Sequence, residues 1–402
     1  MDLVFRLLPD TLPDALRVIL AGVIPAILLV TFMAVGPILY VYGERKIAGF
    51  MQDRLGPMRV GPYGLLQTIA DAVKLMFKEA IYPRGVDAKL FIVAPCLVVL
   101  GAFLSFVVIP FGGRLQTADL NVGAFYVVAV SSLSTVGLIM AGWASNNKYA
   151  LFGAMRSAAQ IVSYEIPAVM SLLLPVMLVG SLSLQDLVRA QAGGLPNWLL
   201  WRYFPFNVIA FLIFFTAGLA ECNRTPFDIP EAESELVAGF HTEYSGFFFA
   251  MFFMAEYTEM FIISAMASVL FLGGYWAPHP ALQNIGSLGL GPLWLILKAW
   301  GLVFIMMWLR WTLPRLRVDQ LMHVAWKVLL PMAMALVVVV GGLAIWGPTA
   351  NGWMGLLRRI GLPAWLDDAA TWFVSGAILA FLVYVMFTAR RWSSRRVQEY
   401  AA

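Results

Sequence analysis

Leu90-Phe-Ile-Val-Ala-Pro-Cys-Leu-Val-Val-Leu-Gly-Ala-Phe-Leu-Ser-Phe-Val-Val-Ile-Pro-Phe111 runs for 22 residues without one charged side chain. A helix rising about 1.5 Å per residue carries such a run across the ~30 Å hydrocarbon core of a bilayer. Eight further stretches meet the same demand, at about 17–42, 122–143, 157–181, 205–222, 244–272, 292–312, 326–347 and 371–389. Composition agrees: 61% of the 402 residues are hydrophobic, 12% are charged and mean hydropathy is +0.81, against an apolar share of about 45–50% in soluble domains. That excludes a water-soluble fold. Disorder is excluded as well, because disordered chains lack aromatics and Phe, Trp and Tyr make up 14% here. The expected fold is an all-α integral membrane protein with about nine transmembrane helices in a single domain over 1–389, followed by a basic tail at 390–402. The first span carries Pro25 and Pro37 and no small-residue cleavage pattern, so it reads as a retained helix rather than a signal peptide.

An odd number of spans puts the termini on opposite sides. Of the 27 Lys and Arg residues, 19 fall on the connections that share a side with the C-terminus and seven on the other, with Lys298 inside the seventh span. The positive-inside bias then puts the C-terminus and the long polar loops 43–89 and 221–243 in the cytoplasm. Loop 43–89 is patterned. Leu65, Ile69, Ala72, Leu75 and Met76 recur at three- and four-residue spacing, with Asp71, Lys74 and Lys78 elsewhere on the helix. This predicts an amphipathic helix, lying at the interface or half-inserted in the protein. The Gly56-Pro57 and Gly61-Pro62 pairs before it break the chain into turns.

Redox chemistry within the chain finds no support in the sequence. Cys96 and Cys222 lack CxxC spacing, and His241, His279 and His323 lie tens of residues apart, so local spacing assembles no metal or cluster ligand set. No dinucleotide fingerprint or phosphate loop occurs. The carboxylates are the informative groups. Between residues 221 and 259 stand eight of the chain's 23: Glu221, Asp228, Glu231, Glu233, Glu235, Glu243, Glu256 and Glu259. Arg224 is the one permanent cation within that stretch. So many acids close to a membrane cannot all ionise cheaply, and a group of that kind shares protons and titrates as a coupled set. Asp228 and Glu231, three apart with Pro230 between them, also fit a helix-starting capping box, which leaves both readings open for these two. Glu165 lies within the fourth span, with Pro167 loosening the helix beside it. Glu256 and Glu259 share a face of the sixth span. Charges at membrane depth are functional candidates by default, and together these acids predict a path from the cytoplasmic surface into the bundle.

The motifs Glu44-Arg-Lys46, Gly61-Pro-Tyr-Gly-Leu-Leu-Gln67, Ala70-Asp-Ala72, Ser163-Tyr-Glu165, Ala220-Glu-Cys-Asn-Arg-Thr-Pro-Phe-Asp228, Pro230-Glu-Ala-Glu-Ser-Glu-Leu236, Thr242-Glu-Tyr-Ser-Gly246 and Met254-Ala-Glu-Tyr257 occur in this order. Together they closely resemble the quinone-site membrane subunit of respiratory complex I, the proton-translocating NADH:quinone oxidoreductase. The resemblance covers about residues 40–330. It implies a multi-pass protein of the bacterial inner membrane, with its N-terminus periplasmic. The chain would help form the quinone-reduction chamber and couple reduction to proton translocation, without being catalytic alone. It implies no cofactor bound by this chain alone, quinone as substrate at a subunit interface, and FMN and iron–sulfur clusters in partner subunits. Partners would be the other complex I subunits and the lipid bilayer, with no nucleic acid. Carried over by position, Glu44, Arg45, Arg54, Phe227 and Arg310 would stand near the quinone chamber or its entrance. Glu231, Glu233 and Glu235 would face the chamber, and Asp71, Glu165, Glu221 and Glu256 would lead inward as a proton relay.

This sequence departs from the pattern at three places. Met58 stands where many relatives have Asn, residues beyond about 345 exceed shorter members, and the third span has Ser131, Ser132 and Ser134 where some relatives have a glutamate. An inward path through hydroxyls and water is expected there. The rival class is a stand-alone secondary transporter, but no strong matching pair of sequence halves supports it. The membrane subunit of a hydrogenase complex is a third reading, and the full match of the acidic-loop motif speaks against it.

Overall fold

A computed structural model describes residues 13–346 other than 114, 202–204, 231–232 and 286–287. The ninth predicted span and the basic tail lie outside the described residues. Within the described residues twelve α-helices follow one another: α1 (Asp14–Met51), α2 (Gln67–Phe77), α3 (Ala88–Ser105), α4 (Gly123–Ala144), α5 (Lys148–Val179), α6 (Leu184–Arg189), α7 (Phe206–Glu221), α8 (Glu233–Leu236), α9 (Gly246–Phe271), α10 (Gly291–Thr312), α11 (Val318–Val324) and α12 (Leu330–Trp346). A π-helical turn at Ala325–Leu329 joins α11 to α12, making one span. The only ladder among the described residues is a two-residue antiparallel pair, Asn284 opposite Gly289 and Ile285 opposite Leu288. Among the described residues, seven helices are long and apolar enough to cross a membrane. The protein is an all-helical, multi-pass membrane protein. The predicted fifth span is α7, whose 16 residues reach only about 24 Å.

Two helices organise the bundle. α9 is apolar on every side along its far half, and Met260–Phe271 is buried without a break, as expected of a helix that lies inside a packed bundle. It touches α1, α2, α3, α7 and α10. α5 is the second centre, with α4, α7 and α12 against it. It begins nine residues before the predicted span because Asn147 caps it, its Oδ1 accepting from the Tyr149 amide at 2.9 Å. At the other end Gly180, at φ +77°, supplies the left-handed stop. α9 ends where Lys298 of α10 donates to the carbonyls of Leu272, Gly274 and Trp276 at 2.6, 2.9 and 2.6 Å, its ammonium lying 4.2 Å from the centre of the Trp198 ring. A cation is favoured at a helix C-terminus, and this contact accounts for the lone lysine at membrane depth.

The amphipathic helix exists as α2, and it packs on α1 and α9. Its polar side faces inward: Asp71 accepts from Arg45 of α1 at 2.5 Å and from Gln67 at 3.2 Å. Leu65, Ile69 and Met76 are exposed, so the apolar stripe looks out of the chain. The turn ahead of α2 depends on Gly64, at φ +78°, where a Cβ would run into the Pro57 carbonyl.

Candidate functional site

The loop after α7 re-enters the bundle and is held there by one amide. Nε2 of Gln160, buried on α5, donates to the carbonyls of Ala220 at 2.8 Å and Phe227 at 2.7 Å. Between those anchors Asn223 takes a left-handed φ of +50°, which Asn tolerates better than most residues, and Thr225-Pro226 is cis. Gln160 therefore fixes the height of Arg224 in the bundle. The turn Gly239–His241 packs against Gly153 of α5, where a Cβ would meet Gly239 Cα at 2.7 Å.

Arg224 is 4% exposed and gathers acids from two helices. Its Nε lies 2.8 Å from Glu256 Oε1 of α9, and its Nη1 lies 3.4 Å from Glu44 Oε2 of α1. The guanidinium also stands 4.2 Å from the centre of the Tyr257 ring. Glu44 is 5% exposed and has further partners: the Tyr257 hydroxyl donates to Oε2 at 2.6 Å, and Arg310 of α10 pairs with Oε1. A buried carboxylate with this many donors is satisfied as an anion. Further out, Arg315 binds Asp228 at 2.9 Å and Arg156 binds Glu235 at 2.6 Å. Arg224 remains the one permanent cation within the acidic stretch, but the expectation that its carboxylates stand unpaired is corrected. The fold brings Arg156, Arg310 and Arg315 to the loop and to Glu44 from elements distant in sequence. Asp228 is committed to Arg315, and the helix following it begins at Glu233.

The inner end differs. Glu165 of α5, Glu221 of α7 and Glu259 of α9 wall one cavity with Ser131, Ser132 and Ser134 of α4, and its volume is about 30 Å³. That is room enough for water, which needs roughly 10–15 Å³ per molecule on this measure, with these carboxyls and hydroxyls to bind it. Glu221 lies within electrostatic reach of both Glu165 and Glu259. No ion pair to any of the three occurs among the described residues. A second cavity of about 20 Å³ is lined in part by Asn223, His241, Glu256, Glu259 and Ser134. Ser134 and Glu259 belong to both cavities. The carboxylates thus form a row that begins at Glu44, Arg224 and Glu256 and passes through Glu259 to Glu221 and Glu165.

The remaining candidates stand elsewhere. Asp71 and Arg45 pair with each other at the α1–α2 contact, with Lys74 also 3.7 Å from Asp71. Burial alone would raise the Asp71 carboxyl. The Arg45 hydrogen bond and charge, with Gln67 and Lys74, overcome this and hold it below the usual range. Arg54 is exposed, its Nε donating to Gln52 at 2.7 Å. Phe227 is buried edge-on to Tyr164 at 5.3 Å. Glu231 lies outside the described residues, and Glu233 is described only as the start of α8. Three residues went unassigned in the sequence: Gln160, Tyr257 and His241. Gln160 left a signal, an amide near the start of an apolar run, and Tyr257 closes the motif Met254-Ala-Glu-Tyr257. Burial among the rings of Phe240, Phe249 and Phe253 pushes the His241 imidazole down to about 4, which keeps it neutral. No group of three or more His, Cys, Asp or Glu could hold a metal ion among the described residues.

The NADH dehydrogenase family model matches residues 24–341. The chain belongs to the NADH dehydrogenase family. An NADH-quinone oxidoreductase subunit from Chlorobaculum parvum, designated H, is 53% identical over 336 residues, covering 81% of this chain and 92% of that protein. Its namesake in Brevibacillus brevis is 51% identical over 313 residues, with 78% and 90% covered. That of Bacteroides fragilis is 43% identical over 352 residues, with 86% and 96% covered. The family is the one the residue motifs indicate, and its match takes in both ends of the acid row.

Proposed function

We propose that this chain is the membrane subunit of a proton-translocating NADH:quinone oxidoreductase of the complex I type, and that its buried carboxylates couple quinone reduction to proton movement. The observation that carries this reading is the row from Glu44 to Glu165, ion-paired at its outer end and facing water-sized space at its inner end. Partner subunits hold the flavin and iron–sulfur clusters and deliver the electrons. The quinone is substrate in a chamber that this chain walls in part, near Glu44, Arg45, Arg54, Phe227 and Arg310. The exposed apolar residues Phe50, Leu55, Tyr63 and Ile69 beside the exposed Arg54 suit an amphiphile with a polar head and an apolar tail. They also suit burial against partner subunits. Loop residues Glu231, Glu233 and Glu235 face that chamber in this reading, with Asp71 at its edge.

Reduction of a quinone to a quinol takes up electrons and protons in equal number, and where chamber groups supply the protons those groups are left more negative until they are refilled. Glu44 and Glu256 share Arg224, so a proton arriving on either one releases the guanidinium toward the other. The change in field is felt at Glu259, Glu221 and Glu165, which have no cation of their own among the described residues and answer by moving a proton through the cavity. The polar loops lie in the cytoplasm, the N-terminus is periplasmic, and the membrane is the bacterial inner membrane. To test this, Glu165→Gln and Glu221→Gln are introduced into the complete assembly. Both are expected to lower quinone reduction and proton translocation by at least about tenfold with assembly intact. Parental pumping by an assembled complex carrying both substitutions overturns the reading.

A further inference from the structure

We infer that Glu259 is the residue that passes protons between the two cavities, joining the ion-paired end of the row to Glu221 and Glu165. It resides one helical turn beyond Glu256 on the same face of α9, and with Ser134 it lines both cavities. Its Oε1 is buried with no hydrogen-bond partner among the described residues. In the interior, a carboxylate oxygen left in that condition is strongly disfavoured. A water in either cavity or a proton on the carboxyl relieves it, and a relay residue alternates between those two conditions. Nothing deeper on α9 can take over, because Met260–Phe271 contains no ionisable side chain.

The α4 wall cannot replace it. Ser131 donates to the Val128 carbonyl at 2.9 Å, Ser132 to Ala129 at 2.8 Å and Ser134 to Ser131 at 2.7 Å. Each hydroxyl has one proton and has given it to its own helix, so toward the cavity these groups present lone pairs. Ser134 also borders the same two cavities as the Glu259 carboxyl, within interaction range of it. A protonated Glu259 donates to the serine oxygen. An ionised one draws the serine proton away from the Ser131 carbonyl, so the serine reports the state of the acid and is not a source of protons.

This inference rests on the relay reading above, and its test separates the two. Glu259→Gln and Glu221→Gln are placed separately in the intact assembly, with assembly judged by electron transfer from NADH to a hydrophilic acceptor. Both are expected to lose at least about tenfold in proton translocation. If Glu259→Gln pumps at the parental rate while Glu221→Gln does not, this inference falls and the relay stands. Parental pumping by both removes the two together. Should Glu259→Gln fail to assemble, Glu259→Asp keeps a titratable carboxyl. The expected result is then a displaced carboxyl C=O band in the infrared difference between oxidised and quinone-reduced complex. An unchanged band in the assembled Asp variant overturns the assignment.

Discussion

Glu44, buried, and Glu256, partly buried, have guanidinium groups against them, whereas Glu165, Glu221 and Glu259 border water-sized space with no cation among the described residues. Both sets lie at membrane depth on overlapping helices, yet their physics is opposite. Paired carboxylates are held as anions, and the surrounding donors make their geometry rigid. Acids without a cation carry charge only when a proton leaves and a neighbour or a water answers it. One end of the row therefore senses charge, and the other moves it.

The comparison can be broken most severely at Arg224. Arg224→Met takes from Glu44 and Glu256 the guanidinium they share, a change that costs about 3–5 kcal/mol. Thermal unfolding of the solubilised complex should show it as a large fall in Tm. Arg224→Lys should recover only a fraction, because a point charge cannot reach two carboxylates as a guanidinium fork does.

His241 sharpens the boundary between the two ends. It faces Glu256, Glu259, Asn223 and Ser134 across the second cavity, with the rings of Phe240, Phe249 and Phe253 around it. Unfolded, the imidazole takes a proton near 6.5; folded, it does so only at about 4. Below pH 6.5 the unfolded chain thus binds more protons, and stability falls with acidification until about pH 4. The loss is on the order of 3 kcal/mol. Melting curves of wild type and His241→Asn between neutral and acid pH should converge, and parallel curves would contradict this account.

Smaller effects test the paired end at its rim. Arg45 and Asp71 are 44% and 24% exposed, so Asp71→Asn should cost no more than ~1 kcal/mol. Because the folded carboxyl is held low, that contribution is present above the unfolded value and disappears as the pH drops through the folded one. Smallest of all is the stability effect of Glu221→Gln. It removes a proton site without removing a salt bridge and should change stability by less than ~1 kcal/mol. An unfolding shift as large as that of Arg224→Met would show that Glu221 is a structural anion after all.

Charge-free runs such as 90–111 and the buried half of α9 declare themselves in sequence, because bilayer thickness sets their length. The end of α1 does not. Glu44-Arg45-Lys46 reads as the polar close of a span at about 42, yet the helix continues to Met51. Its polar turns are satisfied by Arg224, Arg310 and Asp71, partners from distant parts of the chain. Pairing is likewise invisible locally, so the acids between 221 and 259 look more isolated than they are. Periodicity disclosed the amphipathic α2 but not which way its stripe points, since spacing is the same whether that face meets protein or surroundings. Phe227 was singled out by position alone, and its edge-on packing against Tyr164 is a contact that no spacing announces. Glu259 was visible as a neighbour of Glu256. What singled it out was the placement of α4 and α7 around it, which no local spacing encodes.

The ammonium of Lys298 fills the role that a bound potassium ion plays in an oxygen cage, with three backbone carbonyls converging on it. It tethers the far tip of α9 to α10 at one point. With that tip moored and the adjoining stretch wedged among its neighbours, any tilt driven from the opposite end must swing like a lever about a fixed fulcrum. The stroke then grows from almost nil at Leu272 toward Gly246, and it carries Glu256 and Tyr257 against Arg224 on the way.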